Sequence, residues 1–133
     1  MSSFDVRVLS PRASERLQDI EAFVGEDASG QFGLRARHER FLAVLVPGLA
    51  SLRRADGRTE YLAQSGAVAH FADNTLVLAC RDYLRGPDAQ AVGLALEQRM
   101  ASEEQVLRDA HAHLEHLERE MLRRLWQLQK EAR

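Results

Sequence analysis

The spacing of apolar residues changes once along this chain, at Gly86-Pro87-Asp88, and that change limits the fold more than any single motif. Before it, apolar residues recur at every second position over short runs. After it, they recur at every third or fourth. Period two belongs to strands with one buried face and period 3.6 to helices. The expectation is a β module over 1–86 followed by a helical segment over 87–133. Pro87 cannot donate to a ladder and stiffens the joint, and Asp88 is a good N-cap. A chain of 133 residues is long enough for one small module with an appendage.

Within the first part, Phe4, Val6 and Val8 alternate with Asp5 and Arg7, and Ser10-Pro11 ends the run. Ile20, Ala22 and Val24 give a second strand. Short extended pieces are expected near Gln31–Leu34. Phe41 to Val46 is continuously apolar, the pattern of a strand covered on both faces. Asp56-Gly57 signals a hairpin between Leu49–Arg54 and Thr59–Ala63. Gly66 separates that strand from Ala67–Phe71, and Asp73-Asn74 turns into Thr75–Cys80. About eight short strands at regular spacing predict an antiparallel β-sandwich or barrel of 8–10 strands.

In the second part, Val92, Leu96 and Met100 mark one face of a short helix over Ala89–Ala101, weakened at Gly93. Ser102 and Gln105 have capping-box spacing, so a second helix is expected to start there, giving a two-helix hairpin. Leu107, Ala110, Leu114, Leu117 and Met121 follow alternating steps of three and four, and Leu128 continues them. That is a narrow seam suited to another helix. Arg124 stands at a seam position. Charge is segregated: seven acids and two bases lie between Pro87 and Glu118, against five bases and two acids from Arg119 to the end. The basic tip carries Arg119, Arg123, Arg124, Lys130 and Arg133. Arg123, Arg124 and Trp126 are the side chains most suited to grip a partner, a tryptophan beside arginines being a common interface anchor. Packing of Trp126 within the hairpin is the alternative.

Net charge is −2, which argues against nucleic acid as a partner. The N-terminus has no basic-then-apolar leader, and no apolar run is long enough to insert in a membrane. The single cysteine, Cys80, sits in a buried-strand pattern and reads as a core residue. No nucleophile stands with a base at credible spacing, and no phosphate-cradling glycine loop occurs. His113, His116 and Glu120 share a helix face, so a metal site is geometrically open, with a solvated face as the simpler reading. No cofactor and no catalytic residue are expected.

The stretch from Phe23 to Gly48 carries a longer pattern: Gly30, Gly33, Leu34, His38, Phe41, Leu42, Leu45, Pro47 and Gly48 in that order. It resembles the signature of the epsilon subunit of bacterial rotary ATP synthases. GEDASGQFG followed by RARH is most similar to the epsilon subunit of the alternate, sometimes sodium-linked, ATPase type. The resemblance implies a β-sandwich followed by a helical hairpin in a non-catalytic rotor subunit of the central stalk. It implies gamma and the c ring as partners, and a peripheral place on the cytoplasmic face of the inner membrane in a complex that moves H+ or Na+. The loop holding Gln31, Phe32, Gly33, Arg35, Arg37, His38 and Arg40 would face the c ring, with Arg35, Arg37, His38 and Arg40 as a basic cluster on it and a solvated loop as the simpler reading. In the family an acid commonly stands at the position of Gln31, and Pro-Gly precedes the histidine where this chain has Ala36-Arg37. A ring contact rewired toward positive charge follows. Phe32, Phe41 and Phe71 are candidates for cover by gamma, with a place in the sandwich core as the alternative. The C-terminal helices would extend along gamma and, through Arg119, Arg123, Arg124, Trp126 and Lys130, touch the alpha and beta subunits and inhibit ATP hydrolysis. Some relatives bind ATP through I/L-D-x-x-R-A. Leu107-Arg108-Asp109-Ala110-His111 lacks that arrangement, so no nucleotide site is expected. The alternative reading is a β-sandwich module that dimerises through its helical seam.

Overall fold

The computed structural model describes residues 2–131. Nine strands are followed by one helix: β1 (Phe4–Leu9), β2 (Ser14–Asp27), β3 (Gly30–Arg35), β4 (Phe41–Leu45), β5 (Gly48–Arg54), β6 (Thr59–Gln64), β7 (Ala67–Ala72), β8 (Thr75–Cys80), β9 (Tyr83–Gly86) and α1 (Ala89–Glu131). Two compact units result, the first running to Glu97 and the second beginning at Gln98.

The strands form two layers joined through β2. Hydrogen bonding runs β1-β8-β7-β4-β2-β5-β6-β9, with β3 on the other side of β2 and β1 also paired to β2. The first half of β2 pairs with β1, Glu15 opposite Val8. Its second half pairs with β3 and β5, Phe23 lying opposite both Leu34 and Leu52. The strand bends between those halves at Asp19, whose φ of 59° is left-handed, and the register shifts on both sides. A bulge of this kind lets one strand serve two layers. The β1–β8 pairing is parallel and the other pairings are antiparallel.

Inward-facing residues alternate along most strands, as period two requires, although Leu62, Ala63 and Gln64 at the end of β6 are all buried. Phe4, Phe23, Phe71, Ile20, Leu34, Leu52, Leu62, Leu76 and Leu78 are fully buried, and Phe4 meets Phe71 edge-on at 5.4 Å. Burying such side chains contributes roughly 1.5–3 kcal/mol each. Asp88 caps α1 as expected, its Oδ1 accepting from Gln90 N at 3.0 Å. Leu96 is buried and Gly93 lies against Leu49, so the first turns of α1 belong with the strands.

An ion-pair chain ties β2, β5, β6 and β9. Glu60 accepts from Arg54 Nε at 2.7 Å and from Arg85 Nη1. Arg85 Nη2 donates to Glu15 Oε2, and Tyr83 Oη donates to Glu15 Oε1, each at 2.7 Å. The hydrogen bond from Arg85 leads in holding Glu15 below the ordinary carboxylate range. Glu60 is also lowered: burial works against its ionisation, but the bonds from Arg54 and Arg85 outweigh it. Burial and the acceptor role of Glu15 push Tyr83 up to about 12.

Three expectations need correction. The helical segment is one 43-residue helix and not a hairpin. Nothing in Met100-Ala101-Ser102-Glu103 ends a helix: there is no glycine or proline, and no residue of α1 has a positive φ. The Ser102–Gln105 spacing is a capping signal inside a helix that has no reason to stop. Second, β4 is covered on one face only. Ala43 and Leu45 are buried, whereas Leu42 and Val44 are 69% and 68% exposed. Third, Phe71 is fully buried, and Phe32 and Phe41 pack against the core with their rings 4.9 Å apart. Phe71 thus belongs to the core, and Phe32 and Phe41 are partly buried against it.

Candidate functional surfaces

The exposed face of the layer made by β4, β7, β8 and β1 is apolar. Since Ala43, Leu45, Ala67 and Ala69 point inward, strand parity turns Leu42, Val44, Val68 and His70 outward. Register places Val44 opposite Val68, Val68 opposite Ala79 and Ala79 opposite Leu9. The next row runs Leu42, His70, Val77, Arg7. Leu9, Leu42, Val44 and Val68 are all exposed. A contiguous apolar strip across four strands is a mark of a docking surface, since scattered single residues would not align.

The signature residues spread along β3 and the turn after it. Phe32 and Leu34 face the core, while Gln31, Gly33 and Arg35 face outward on an edge strand. Gln31 and Arg35 are four residues apart, about 13 Å along a strand. They are therefore not part of one compact loop. Beside them, register sets Gly33 next to Val24 and Ser51, and Arg35 next to Ala22 and Arg53, a shallow trough of small residues with an arginine margin. Gly33 has no positive φ, and a Cβ there would meet only the Phe23 carbonyl oxygen at 3.8 Å. Gly25 differs, because a Cβ there would come within 2.9–3.0 Å of the Phe23 and Phe32 rings. Gly25 is needed by the core, whereas the fold makes no demand for glycine at position 33.

Arg37, His38 and Arg40 lie on the exposed turn between β3 and β4. The turn is pinned: Asn74 Oδ1 accepts from Arg37 N at 2.7 Å, and Asn74 Nδ2 donates to Ser3 O at 2.9 Å. Arg37 itself has a left-handed φ of 63°. His38 does not join the arginines in a charged cluster. Its ring stands edge-on to Phe41 and Phe71 at 5.8 and 6.0 Å, and its Nδ1 lies 2.8 Å from Glu39 O.

On the second unit, Arg119, Arg123, Trp126 and Lys130 follow i, i+4, i+7 and i+11, one strip of α1. Trp126 is 65% exposed with Lys130 Nζ 5.6 Å from its ring, so packing within a hairpin is ruled out by the single helix. Arg123 pairs with Glu120 at 2.7 Å. Arg124 falls on a different side of the helix, about 140° from Arg119 at 100° per residue. Arg133 lies outside the described residues. His111 pairs with Glu115, and the described residues hold no cluster of three metal-ligating side chains. Among them, no helix is long and apolar enough to cross a membrane.

Sequence reasoning missed the apolar strip across β4, β7, β8 and β1. The signal was present in the parity of Phe41–Val46: once alternate residues fill a core, Leu42 and Val44 must face away from it.

A sandwich with an apolar outer face and an exposed edge strand, followed by a long polar helix, has the surfaces of a docking subunit and no feature of a catalytic pocket among the described residues. The family model of the beta-sandwich domain of the ATP synthase delta/epsilon chain matches residues 3–86. The chain is 32% identical to ATP synthase epsilon chain 2 of Cereibacter sphaeroides, over 92% of its own length and 86% of that protein. It is 27% identical to the sodium-ion-specific epsilon chain of Propionigenium modestum, over 59% of its own length and 58% of that protein. A chain in the central stalk/c-ring structure of the Tetrahymena thermophila mitochondrial ATP synthase shares the fold, with a TM-score of 0.53 at 16% identity over 63% of this chain and 69% of that one. This chain thus belongs to the ATP synthase delta/epsilon family, as a non-catalytic epsilon chain of the alternate type.

Proposed function

We propose that the chain is the central-stalk subunit joining gamma to the c ring on the cytoplasmic face of the inner membrane. Residues 1–86 form the docking module and 87–133 the helical arm. The observation that carries this reading is the apolar strip Leu9–Ala79–Val68–Val44 with Leu42 beside it, a surface of the kind that another subunit covers. Gamma is assigned to that strip. The c ring is assigned to the outer edge of β3, where Gln31, Gly33 and Arg35 are exposed, together with Arg37 and Arg40 on the following turn. The glycine at 33 leaves backbone open to close approach from outside. The arginines suit charge-assisted hydrogen bonds to polar loops of the ring. The strip of Arg119, Arg123, Trp126 and Lys130, together with Arg124 on another side of the helix, is assigned to the alpha and beta subunits, where contact would brake hydrolysis.

Co-expression of the chain with gamma and the ring tests these assignments separately. Val44→Lys with Val68→Glu, an oppositely charged cross-strand pair, is expected to abolish co-purification with gamma while thermal unfolding of the free chain shifts only modestly. Gly33→Ala is expected to leave unfolding and gamma binding intact and to weaken retention of the ring. Retention of gamma by the double variant would remove the strip from the interface.

A further inference from the structure

The seam of α1 runs from Met100 to Leu128 at alternating steps of three and four, with Leu107, Leu114, Leu117 and Met121 between 45% and 69% exposed. Two seam positions are charged and of opposite sign: Glu103 near the start and Arg124 near the end. We propose that in the free chain this seam is covered by a second copy of the same helix, running antiparallel. The inference stands independently of how the sandwich docks.

Opposite-sign charges at the two ends of one seam favour an antiparallel pair. A parallel pair would set Glu103 against Glu103 and Arg124 against Arg124, which repel in a closed seam. In an antiparallel pair with Leu107 level with Leu117 of the second copy, Ala110 is level with Leu114, and two-fold symmetry repeats both layers. The same register brings Arg124 within three residues of Glu103 of the second copy, both being seam positions, whereas Arg119, Arg123 and Lys130 lie on the opposite side of the helix and take no part. Three residues are about 4.5 Å of axial rise, within reach of these long side chains. Joining the larger complex then competes with self-pairing for one apolar face.

Sedimentation equilibrium of the full chain over a concentration series tests the proposal. A reversible monomer–dimer equilibrium is expected. Arg124→Glu should raise its dissociation constant about tenfold or more, and adding Glu103→Arg should restore it. Orientation is read by cysteines on exposed helix positions. Leu107→Cys mixed with Leu117→Cys should give a mixed disulfide dimer, and neither variant alone should cross-link through α1. Cys80 stays out of this chemistry, being buried with its thiol pushed up to about 11. A monomer at every concentration overturns the proposal and leaves the seam to a helix of another subunit. A dimer indifferent to the charge variants, with no mixed cross-link, overturns it by placing the contact on the sandwich. Cross-linking of Leu107→Cys alone overturns the antiparallel arrangement.

Discussion

Arg85 holds two carboxylates at once, Glu60 and Glu15, and so ties β9 to β6 and β2. All three side chains are partly shielded from solvent, which makes the pairs worth more than exposed ones and their loss more costly. Both carboxyls ionise more readily folded than unfolded. Their contribution is therefore fully present above the unfolded value of about 4.5 and is lost as pH falls through the lower folded values. Urea unfolding should show near-constant stability from neutral pH to about 5 and a decline below it. Arg85→Met should cost about 1–3 kcal/mol at neutral pH and flatten the acid decline. An unchanged acid limb in that variant would place the acid sensitivity elsewhere. Position by position, the sequence is uneven in what it discloses. Asp88 reads directly as a cap because its chemistry is local. Gly25 and Gly33 look alike in the sequence, yet one is needed by two phenylalanine rings and the other by nothing inside the chain. Only three-dimensional contacts separate them.

Among the elements, hairpins with local turn chemistry were legible: Asp56-Gly57 and Asp73-Asn74 turn where expected, both residues of the second pair taking left-handed φ values of 51° and 54°. The first half of β2 was not. In Ser14–Asp19 only Leu17 is buried, and the strand exists because β1 offers it a partner, a long-range cause invisible to a local window. β9 is short and closes the sheet against β6 by the same route. The helical hairpin was inferred from a capping signal that the continuous helix overrides. Its weak point is Gly93 and not Ser102. A Cβ at Gly93 would sit 3.9 Å from Leu49 Cδ1, ordinary contact with no strain. Gly93→Ala should thus stabilise the chain by up to about 1 kcal/mol, read as a higher thermal midpoint. A lower midpoint would mean that the first turns of α1 need closer approach than this geometry shows.

At the scale of the whole molecule, the sandwich and the helix beyond Gln98 carry different kinds of surface, and a subunit built this way can separate attachment from control. The sandwich has its own core and its own ion-pair chain, and Leu96 is buried within the unit that ends at Glu97. A chain ending at Glu97 keeps that packing, whereas one ending at Gly86 loses the turns of α1 that lie against Leu49. The Glu97 chain is therefore the cleaner test of the helical arm. Added to a catalytic complex depleted of this subunit, both the full chain and the Glu97 chain should bind, since the apolar strip and the β3 edge are intact in each. Only the full chain should slow ATP hydrolysis, because only it carries Arg119, Arg123, Arg124, Trp126 and Lys130. Within the full chain, Arg123→Glu with Lys130→Glu should relieve that inhibition several-fold without loss of binding, as the proposed contact of the basic strip with the alpha and beta subunits implies. If the Glu97 chain inhibits as strongly as the full one, the brake lies in the sandwich, and the basic strip of α1 serves attachment instead.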